Sequence, residues 1–407
     1  MSFHKIVTLI IFSLYAINSW AQGGLSGQDS SRRVITTAVP FMVVAPDARA
    51  GAMGDVGVAT SPDANSVHWN VSKLAMIEKR SGVSLSYTPW LSKLISDMSI
   101  TYLSGFYKIN NEQAVGGALR YFDMGSIQFT DDQGNDLQQF NPYEFSFEGS
   151  YARLLSDNMS IGLTMKFIYS NLVGNAFIPN SEGSQAAISV AADLGWYWNK
   201  DLMLGGTNSN LALGASITNI GSKMTYSNDD NLLFVPTNLR LGSSLKMDLD
   251  PYNSITISLD FNKLMVPTPP VYEVDETGTI VTGPDGNPVI RRGKDPNRNL
   301  LSGMFGSFSD APGGFQEELQ EVMIGGGVEY WYNELFAARV GYFYEHQNKG
   351  NRKYLTMGVG LRYNIFGIDF AYLVPQQQNH PLAETLRFTL LVNFGQQQPA
   401  ESIRDIN

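Results

Sequence analysis

Fourteen segments of this chain alternate apolar and polar side chains, and this alternation constrains the fold more than any other feature. In ITISLDFN, residues 255–262, the isoleucines, leucine and phenylalanine fall on one face and the polar residues on the other. A period of two is typical of a β-strand that separates an apolar from a polar environment. The segments lie near 82–90, 96–107, 112–122, 143–154, 158–170, 185–198, 209–219, 237–248, 254–265, 322–332, 335–345, 353–364, 366–374 and 384–395.

The lengths of these segments indicate strands that cross a membrane. Most have about 9–14 residues, which exceeds the usual globular strand and suits a tilted transmembrane one. Because the bilayer core offers no water to the backbone, such strands survive only in a closed sheet. Bacterial barrels also have an even number of strands. The sequence therefore predicts an all-β fold, a 14-stranded antiparallel transmembrane outer-membrane β-barrel.

The connections between the segments alternate in length. If the chain starts in the periplasm, the even-to-odd connections lie on the periplasmic side. These connections, such as KINNE, LSDN and YNE, are short. The odd-to-even connections, such as 123–142, 171–184 and 266–321, are long. Bacterial barrels have short periplasmic turns and longer extracellular loops, so we expect the long connections to face the cell surface. NKDLMLGGTNS is expected to be the one long periplasmic connection.

Composition excludes several classes of site. The chain has no cysteine, which removes disulfides, thiol catalysis and cysteine-bound metals. Its net charge of −10 argues against nucleic acid as a partner, because phosphates require a basic face. A charged fraction of 16% is low for a soluble protein, and it agrees with a membrane barrel.

The N-terminus predicts export. Lys5 precedes the apolar run IVTLIIFSLYAI, and SWA has the small-x-small pattern of a cleavage site. Residues 38–79 do not alternate and precede a barrel wide enough to leak, so we interpret them as a plug. The predicted regions are a signal peptide at 1–21, an N-terminal extension and lumenal plug at 22–80, the barrel at 81–396, and a C-terminal tail at 397–407.

His68 is the residue that most invites a catalytic interpretation. It lies near Ser66, Asp63 and Asp55, the residue types of a hydrolase triad, but a triad is defined by geometry. The chain has no H-E-x-x-H or G-x-S-x-G motif, and we assign no catalytic residue, metal or cofactor. NSVHWNVSKLAMI is instead interpreted as a short helix, capped by Asn70 or Ser66, within the plug.

Charged residues also occur on the predicted strands, mostly on the polar face. An unpaired buried charge is costly, so we expect them to form ion pairs across the lumen. These residues are Glu144, Glu148, Arg240, Lys246, Asp260, Glu329, Arg339, Arg362 and Arg387.

The longest connection, 266–321, differs in composition from the rest. It opens with VPTPP, continues with a turn-rich and partly hairpin stretch, and ends with GGFQEELQEV, which predicts a short amphipathic helix. Connections of this length are usually functional or disordered, so it is either a solvated loop or a partner-binding surface. The candidate contact residues are Tyr272, Arg291, Arg292, Lys294, Phe305, Phe308 and Phe315.

The stretch AVPFMVVAPDARAGAMGDVGVATSPDANSVHWNVSKLAMIEK, followed by about fourteen strands, resembles the PorV family of the Bacteroidota type IX secretion system, also called LptO. More distantly it is similar to FadL-type fatty-acid transporters, whose plug ends near N-P-A-x-L-A. Residues 70–75 here read NVSKLA, without the proline. The plug residues that carry the resemblance are Pro46, Asp47, Arg49, Gly51, Gly54, Asp55, Asn65, His68, Trp69 and Asn70.

The resemblance implies a non-enzymatic role in protein secretion at the bacterial outer membrane. Such proteins bind the C-terminal signal domain of cargo at the Sov (SprA) translocon. They then pass the cargo to the attachment complex of PorU, PorQ and PorZ, which anchors it to lipopolysaccharide. Two alternatives stay open: a FadL-like channel for hydrophobic solutes, and a lipid A deacylase that uses His68.

Overall fold

The computed structural model describes residues 32–91, 97–130, 133–172, 185–226, 232–277, 279–376 and 385–396. The predicted signal peptide at 1–21 and the predicted tail at 397–407 lie outside these residues. No helix in the described ranges has the length and apolar character needed to cross a membrane.

Fourteen long antiparallel strands form a closed barrel in the described part of the chain, which confirms the predicted fold. Each strand pairs with the next along the chain, and the first pairs with the last. The barrel strands are β1 (Lys79–Pro89), β2 (Ser99–Lys108), β3 (Gln113–Asp123), β6 (Tyr143–Ser156), β7 (Met159–Asn171), β8 (Ala187–Leu204), β9 (Thr207–Gly221), β10 (Asn238–Asp248), β11 (Asn253–Leu264), β14 (Met323–Tyr332), β15 (Phe336–Tyr344), β16 (Lys353–Tyr363), β17 (Phe366–Pro375) and β18 (Leu386–Gln396). Two small hairpins lie in long connections, β4 (Ile127–Thr130) with β5 (Asp136–Phe140), and β12 (Val271–Tyr272) with β13 (Ile290–Arg292).

The two faces of the barrel wall differ as the alternation predicts. On β11, Ile257, Leu259 and Phe261 are exposed on the outer face, whereas Ser258 and Asp260 are buried on the inner face. Apolar side chains therefore cover the outside, where a bilayer would solvate them, and polar side chains line the inside.

Short turns lie at one end of the barrel and long connections at the other. The short turns are 109–112, 157–158, 205–206, 249–252, 333–335 and 364–365. The prediction of a long connection at NKDLMLGGTNS was wrong, because β8 continues to Leu204 and β9 begins at Thr207. Gly205 and Gly206 make the turn with φ values of 60° and 88°, which is the positive-φ pair that a tight hairpin requires. The polar residues of this stretch extend the two strands rather than interrupt them.

An N-terminal segment, defined here as residues 33–78, lies within the barrel. It contains a 3₁₀ helix at Pro40–Val43, α1 (Ala48–Gly51), α2 (Ser66–Trp69) and a second 3₁₀ helix at Val71–Met76. The predicted single helix at NSVHWNVSKLAMI is thus two short ones, and the Asn70 side chain accepts from the Ser72 N–H to cap the second, as expected.

The N-terminal segment runs the length of the barrel. At the long-connection end, the N–H of Arg33 donates to Asn348 O (3.0 Å) and that of Ala38 donates to Phe234 O (2.9 Å). At the short-turn end, Lys108 Nζ donates to Ile77 O (2.9 Å). The sequence predicts that the chain enters the barrel from the short-turn end. The first strand, β1, does begin at that end, but the N-terminal segment begins, at Arg33, at the long-connection end.

The longest connection adds two helices, α3 (Leu300–Gly306) and α4 (Phe315–Gln320). The sequence predicted α4 but not α3. The β12–β13 pair and the bridges between Val274 and Ile280 and between Thr282 and Pro288 confirm the partly hairpin character of the preceding stretch.

Candidate functional site

Asp47 organises the first turn of the N-terminal segment. Its carboxylate accepts from the Ala50 N–H (2.9 Å), which caps α1, and from Trp69 Nε1 (2.7 Å). One side chain therefore satisfies a helix N-terminus and joins it to α2, which is the ordinary role of an aspartate at this position. Pro46, one residue earlier, is buried.

Arg49 connects this turn to the barrel wall. Its guanidinium forms a two-bond fork with Glu329 on β14 (3.0 and 2.8 Å) and reaches Asp63 (3.1 Å). Glu329 also accepts from Arg339 Nε (2.7 Å). The series continues on the wall, because Asp369 accepts from both Arg339 and Arg362 at 2.7 Å. The ion pairs predicted for Glu329, Arg339 and Arg362 are thus present, and Arg49 adds the N-terminal segment to them.

Small residues permit close contact between the segment and the wall. At Gly54, φ is 73° and an added Cβ would lie 2.5 Å from Tyr342 O. At Gly51, an added Cβ would meet Arg387 Nη1 at 2.5 Å. Asp55 follows in this tight region, where it accepts from Tyr354 OH (2.5 Å) and Arg387 Nη1 (3.3 Å). These contacts hold α1 against β15–β18.

His68 lies between two buried arginines. Arg120 Nη2 is 3.0 Å from His68 Nδ1, and Arg240 Nη1 is 3.4 Å from Nε2. Burial first, and then the neighbouring cations, hold the pKa of His68 well below its ordinary value. The Ser66 hydroxyl instead accepts from the Asp63 N–H (3.1 Å). Both ring nitrogens of His68 therefore face guanidinium groups rather than a nucleophile, which is an unsuitable arrangement for a general base.

Asn65 and Asn70 bond to the wall, as their polarity suggested. Asn65 Oδ1 accepts from Ser104 Oγ (3.2 Å), and Asn70 Nδ2 donates to Trp196 O (2.9 Å). The residues that the sequence singled out in this segment therefore contact one another and the barrel wall.

The other predicted strand charges pair only in part: Glu148 and Arg387 form ion pairs, whereas Glu144 accepts from Ser170 Oγ and Arg240 contacts His68. Glu148 is 3.7 Å from Lys166, which is 2.8 Å from Asp193. Asp260 accepts from the N–H groups of Gly57 and Val58 rather than from a cation. Lys246 pairs with Asp248 at the exposed short-turn end of β10. Lys166, Asp193 and Asp369 were not among the charges predicted to pair, although each occupies an inward position on an alternating strand.

The mouth of the barrel, at the long-connection end, contains a second set of ion pairs. Glu317 accepts from Arg33 (2.6 Å) and Lys349 (2.7 Å). Lys349 also contacts Glu321 (2.9 Å). Lys263 completes the set, because it pairs with Glu321 (2.5 Å) and Glu318 (3.1 Å). This chain of six side chains, the mouth network, has three cations and three carboxylates.

The Glu317 carboxylate remains ionised under ordinary conditions. Burial by itself raises the pKa of Glu317, but hydrogen bonds from Arg33, Lys349 and a backbone N–H lower it to about 2. Because it is ionised, Glu317 can hold two cations at once.

The candidate residues of the longest connection lie outside this network. Phe305, Phe308 and Phe315 have exposed fractions of 67%, 43% and 74%. Arg291, Arg292 and Lys294 are also exposed, and Lys294 Nζ donates to Ser309 Oγ (2.9 Å), which places it beside Phe308. Tyr272 is half-buried. The connection therefore presents aromatic rings next to positive charge, a combination that is enriched at protein interfaces.

A cavity of about 370 Å³ lies under the mouth. Most of its lining is apolar and includes Ile35, Phe41, Trp90 and Phe122, with ion-paired Lys349 at its edge. In the described ranges no group of three or more acidic or histidine side chains is placed to hold a metal ion.

The sequence of this chain matches a known protein family. The sequence model of the type IX secretion system protein PorV matches residues 27–271. No curated protein sequence matches significantly.

Solved barrels are similar at low identity. The toluene transporter TbuX of Ralstonia pickettii is 12% identical, with a TM-score of 0.45, over 87% of this chain and 100% of that one. The toluene transporter TodX of Pseudomonas putida is 12% identical, with a TM-score of 0.46, over 86% and 98%. A FadL homologue of Pseudomonas aeruginosa is 11% identical, with a TM-score of 0.43, over 89% and 99%.

Proposed function

Because this chain belongs to the PorV family of type IX secretion proteins, we propose that it carries exported cargo at the outer membrane. Its barrel binds the C-terminal signal domain of cargo at the Sov (SprA) translocon. It then delivers the cargo to the attachment complex of PorU, PorQ and PorZ, near lipopolysaccharide. The protein performs no catalysis in this role.

The proposed orientation puts the long connections at the cell surface and the short turns in the periplasm. The difference in connection length supports it, since bacterial barrels have this asymmetry. Within this orientation, the N-terminal segment, which is the described part of the predicted region 22–80, acts as a lumenal plug. The contacts of Arg49, Asp55 and Asn70 with the barrel wall support that role, because they hold the segment inside the barrel. In this arrangement the mouth is the part of the barrel that binds a partner.

The observation that carries the proposal is the exposed surface of the longest connection. Phe305 and Phe315 are exposed on short helices, and Phe308 is exposed in the turn that follows α3, so all three rings have defined positions. Exposed rings with Lys294 beside Phe308 suit a folded partner with an apolar centre and an acidic margin.

A deletion tests the contribution of Tyr272, Arg291 and Arg292 to this surface and leaves Phe305, Phe308 and Phe315 in place. Gly293 lies against Pro270, since an added Cβ would be 3.2 Å from Pro270 Cα, so residues 271–292 can be replaced by a short glycine linker. We expect the barrel to insert normally and surface display of cargo to fall at least tenfold. Deletion of 127–140, the β4–β5 hairpin in another long connection, is the matched control. Unchanged display after the first deletion would overturn the contribution of Tyr272, Arg291 and Arg292 to cargo binding.

The cavity favours a second candidate, the binding of a hydrophobic solute. It is mainly apolar and large enough for a small hydrophobic molecule. Trp90 lines the cavity, so a brominated fatty acid that enters should quench its fluorescence, and Phe122→Trp should increase the signal. Absence of quenching in both proteins would remove this candidate.

A further inference from the structure

The first described residues of the chain hold the longest connection at the mouth. Arg33 Nε and Nη2 donate to the two oxygens of Glu317 at 2.8 and 2.6 Å. This planar two-bond fork is the strongest common geometry for an ion pair. Its partners are 284 residues apart in sequence, so it fixes α4 to the start of the N-terminal segment.

The mouth network distributes this attachment over four elements. Through Lys349, Glu317 connects to the β15–β16 connection, and through Glu321 and Lys263 it connects to β11. The three carboxylates also accept from backbone N–H groups and a hydroxyl of the connection, including Gly313, Ala311 and Thr268. Loss of Arg33 would leave three carboxylates against two ammonium groups in a largely buried setting.

The residues that follow Arg33 and two members of the mouth network line the cavity. Val34, Ile35 and Thr37 line it from the side of the N-terminal segment, while Lys349 and Glu321 lie at its edge. Arg33 has the most exposed side chain of its pair, 20% against 6% for Glu317. The attachment is therefore accessible from solvent on the Arg33 side.

We propose that residues 33–37 form a strap that holds α4 and the end of the longest connection against the mouth, beside the cavity. Release of Arg33 from Glu317 frees this part of the connection. The strap thereby controls the position of the surface that carries Phe305, Phe308 and Phe315, and this last step alone rests on the proposed function.

Hydrogen–deuterium exchange of the full-length protein in lipid nanodiscs tests the strap. Arg33→Ala should increase amide exchange in 308–321 at least tenfold, and Arg33→Lys, which keeps the charge but loses the fork, should have an intermediate effect. Arg352→Ala is the matched control, because Arg352 pairs with Glu345 within one connection. It should leave exchange in 308–321 within twofold. Heat-modifiable gel mobility verifies that each barrel is folded.

The outcomes separate the strap from the cargo role. Unchanged exchange in Arg33→Ala would overturn the strap, whatever happens to cargo display. Increased exchange with normal display would keep the strap and contradict the use of this surface for cargo. A folded barrel in which Arg352→Ala has the same effect as Arg33→Ala would also overturn it, because the effect would then not be specific to the fork.

Discussion

The N-terminal segment is attached to the protein by two arginine–glutamate forks, and their surroundings differ. Inside the barrel, Arg49 binds Glu329, and their side chains are 10% and 2% exposed. At the mouth, Arg33 binds Glu317 beside an apolar cavity and an exposed aromatic surface. Equivalent chemistry thus serves a permanent contact in one place and a releasable one in the other. The difference lies in packing, since a close-packed interior has no room for rearrangement.

The interior fork should give the largest effect. Glu329→Gln leaves Arg49 and Arg339 buried with one carboxylate fewer between them, and breaking such a pair costs about 3–5 kcal/mol. Denaturant unfolding in lipid vesicles, followed by gel mobility, measures the loss. Arg153→Ala, which breaks an exposed pair with Glu112, should change stability by less than about 1 kcal/mol. Equal effects would mean that the interior pair is no more important than a surface pair.

Close packing in the interior should be nearly as sensitive. A Cβ at Gly341 would overlap the Met53 carbonyl carbon, so Gly341→Val should cost about 1–3 kcal/mol or prevent barrel formation. The same unfolding measurement applies. Gly149→Val, on β6, is the control, because nothing lies within 4 Å of that Cβ. A stable Gly341→Val protein would show that the segment can move away from the wall.

The mouth should respond in function rather than stability. Replacing Phe305, Phe308 and Phe315 together by alanine should lower cargo display about tenfold, because exposed rings contribute to binding and little to folding. Quantitative surface labelling of cargo measures the effect. Alanine at the exposed residues Ile109, Leu249 and Ile365, at the short-turn end, is the control. Loss of stability in the triple phenylalanine variant would instead assign those rings to the core.

The mouth should be insensitive to pH in the ordinary range. The pKa of Glu317 is depressed to about 2 in the folded protein, so its contribution is present above the unfolded value of about 4.3 and disappears as the pH falls toward 2. Exchange in 308–321, corrected for intrinsic rates, should be constant from pH 5 to 8. A marked rise across that interval would contradict an ionised Glu317.

Substitution of His68 should have the smallest effect of these changes, with no change in lipid A acylation. His68→Ala should leave the acylation pattern of lipid A unchanged in mass spectra, because its ring nitrogens face Arg120 and Arg240. The wild-type strain is the reference. A shift of lipid A mass in the variant would restore the deacylase alternative.

Prediction from sequence succeeded where the signal is local. The alternation of apolar and polar residues predicted strands β11 and β14, and the sequence GGFQEELQEV predicted helix α4. The length of β8 was misjudged, because two glycines were interpreted as part of a long connection instead of a tight hairpin. The helix α3 has no comparable periodic signal, and its position depends on packing around Phe234 and Pro267, which lie close to Gly303.

The sequence by itself determined the closed 14-stranded barrel, since a side-chain period of two and the alternating connection lengths are properties of neighbouring residues. It also predicted that inward-facing charges pair, which holds for Glu329, Arg339 and Arg362 but not for Arg240 or Asp260. Only the tertiary structure decided the partners: Arg49 with Glu329, 280 residues away, and Arg33 with Glu317, 284 residues away. Such pairs depend on strand register around the ring and on the path of the N-terminal segment through it. No local pattern records either of these.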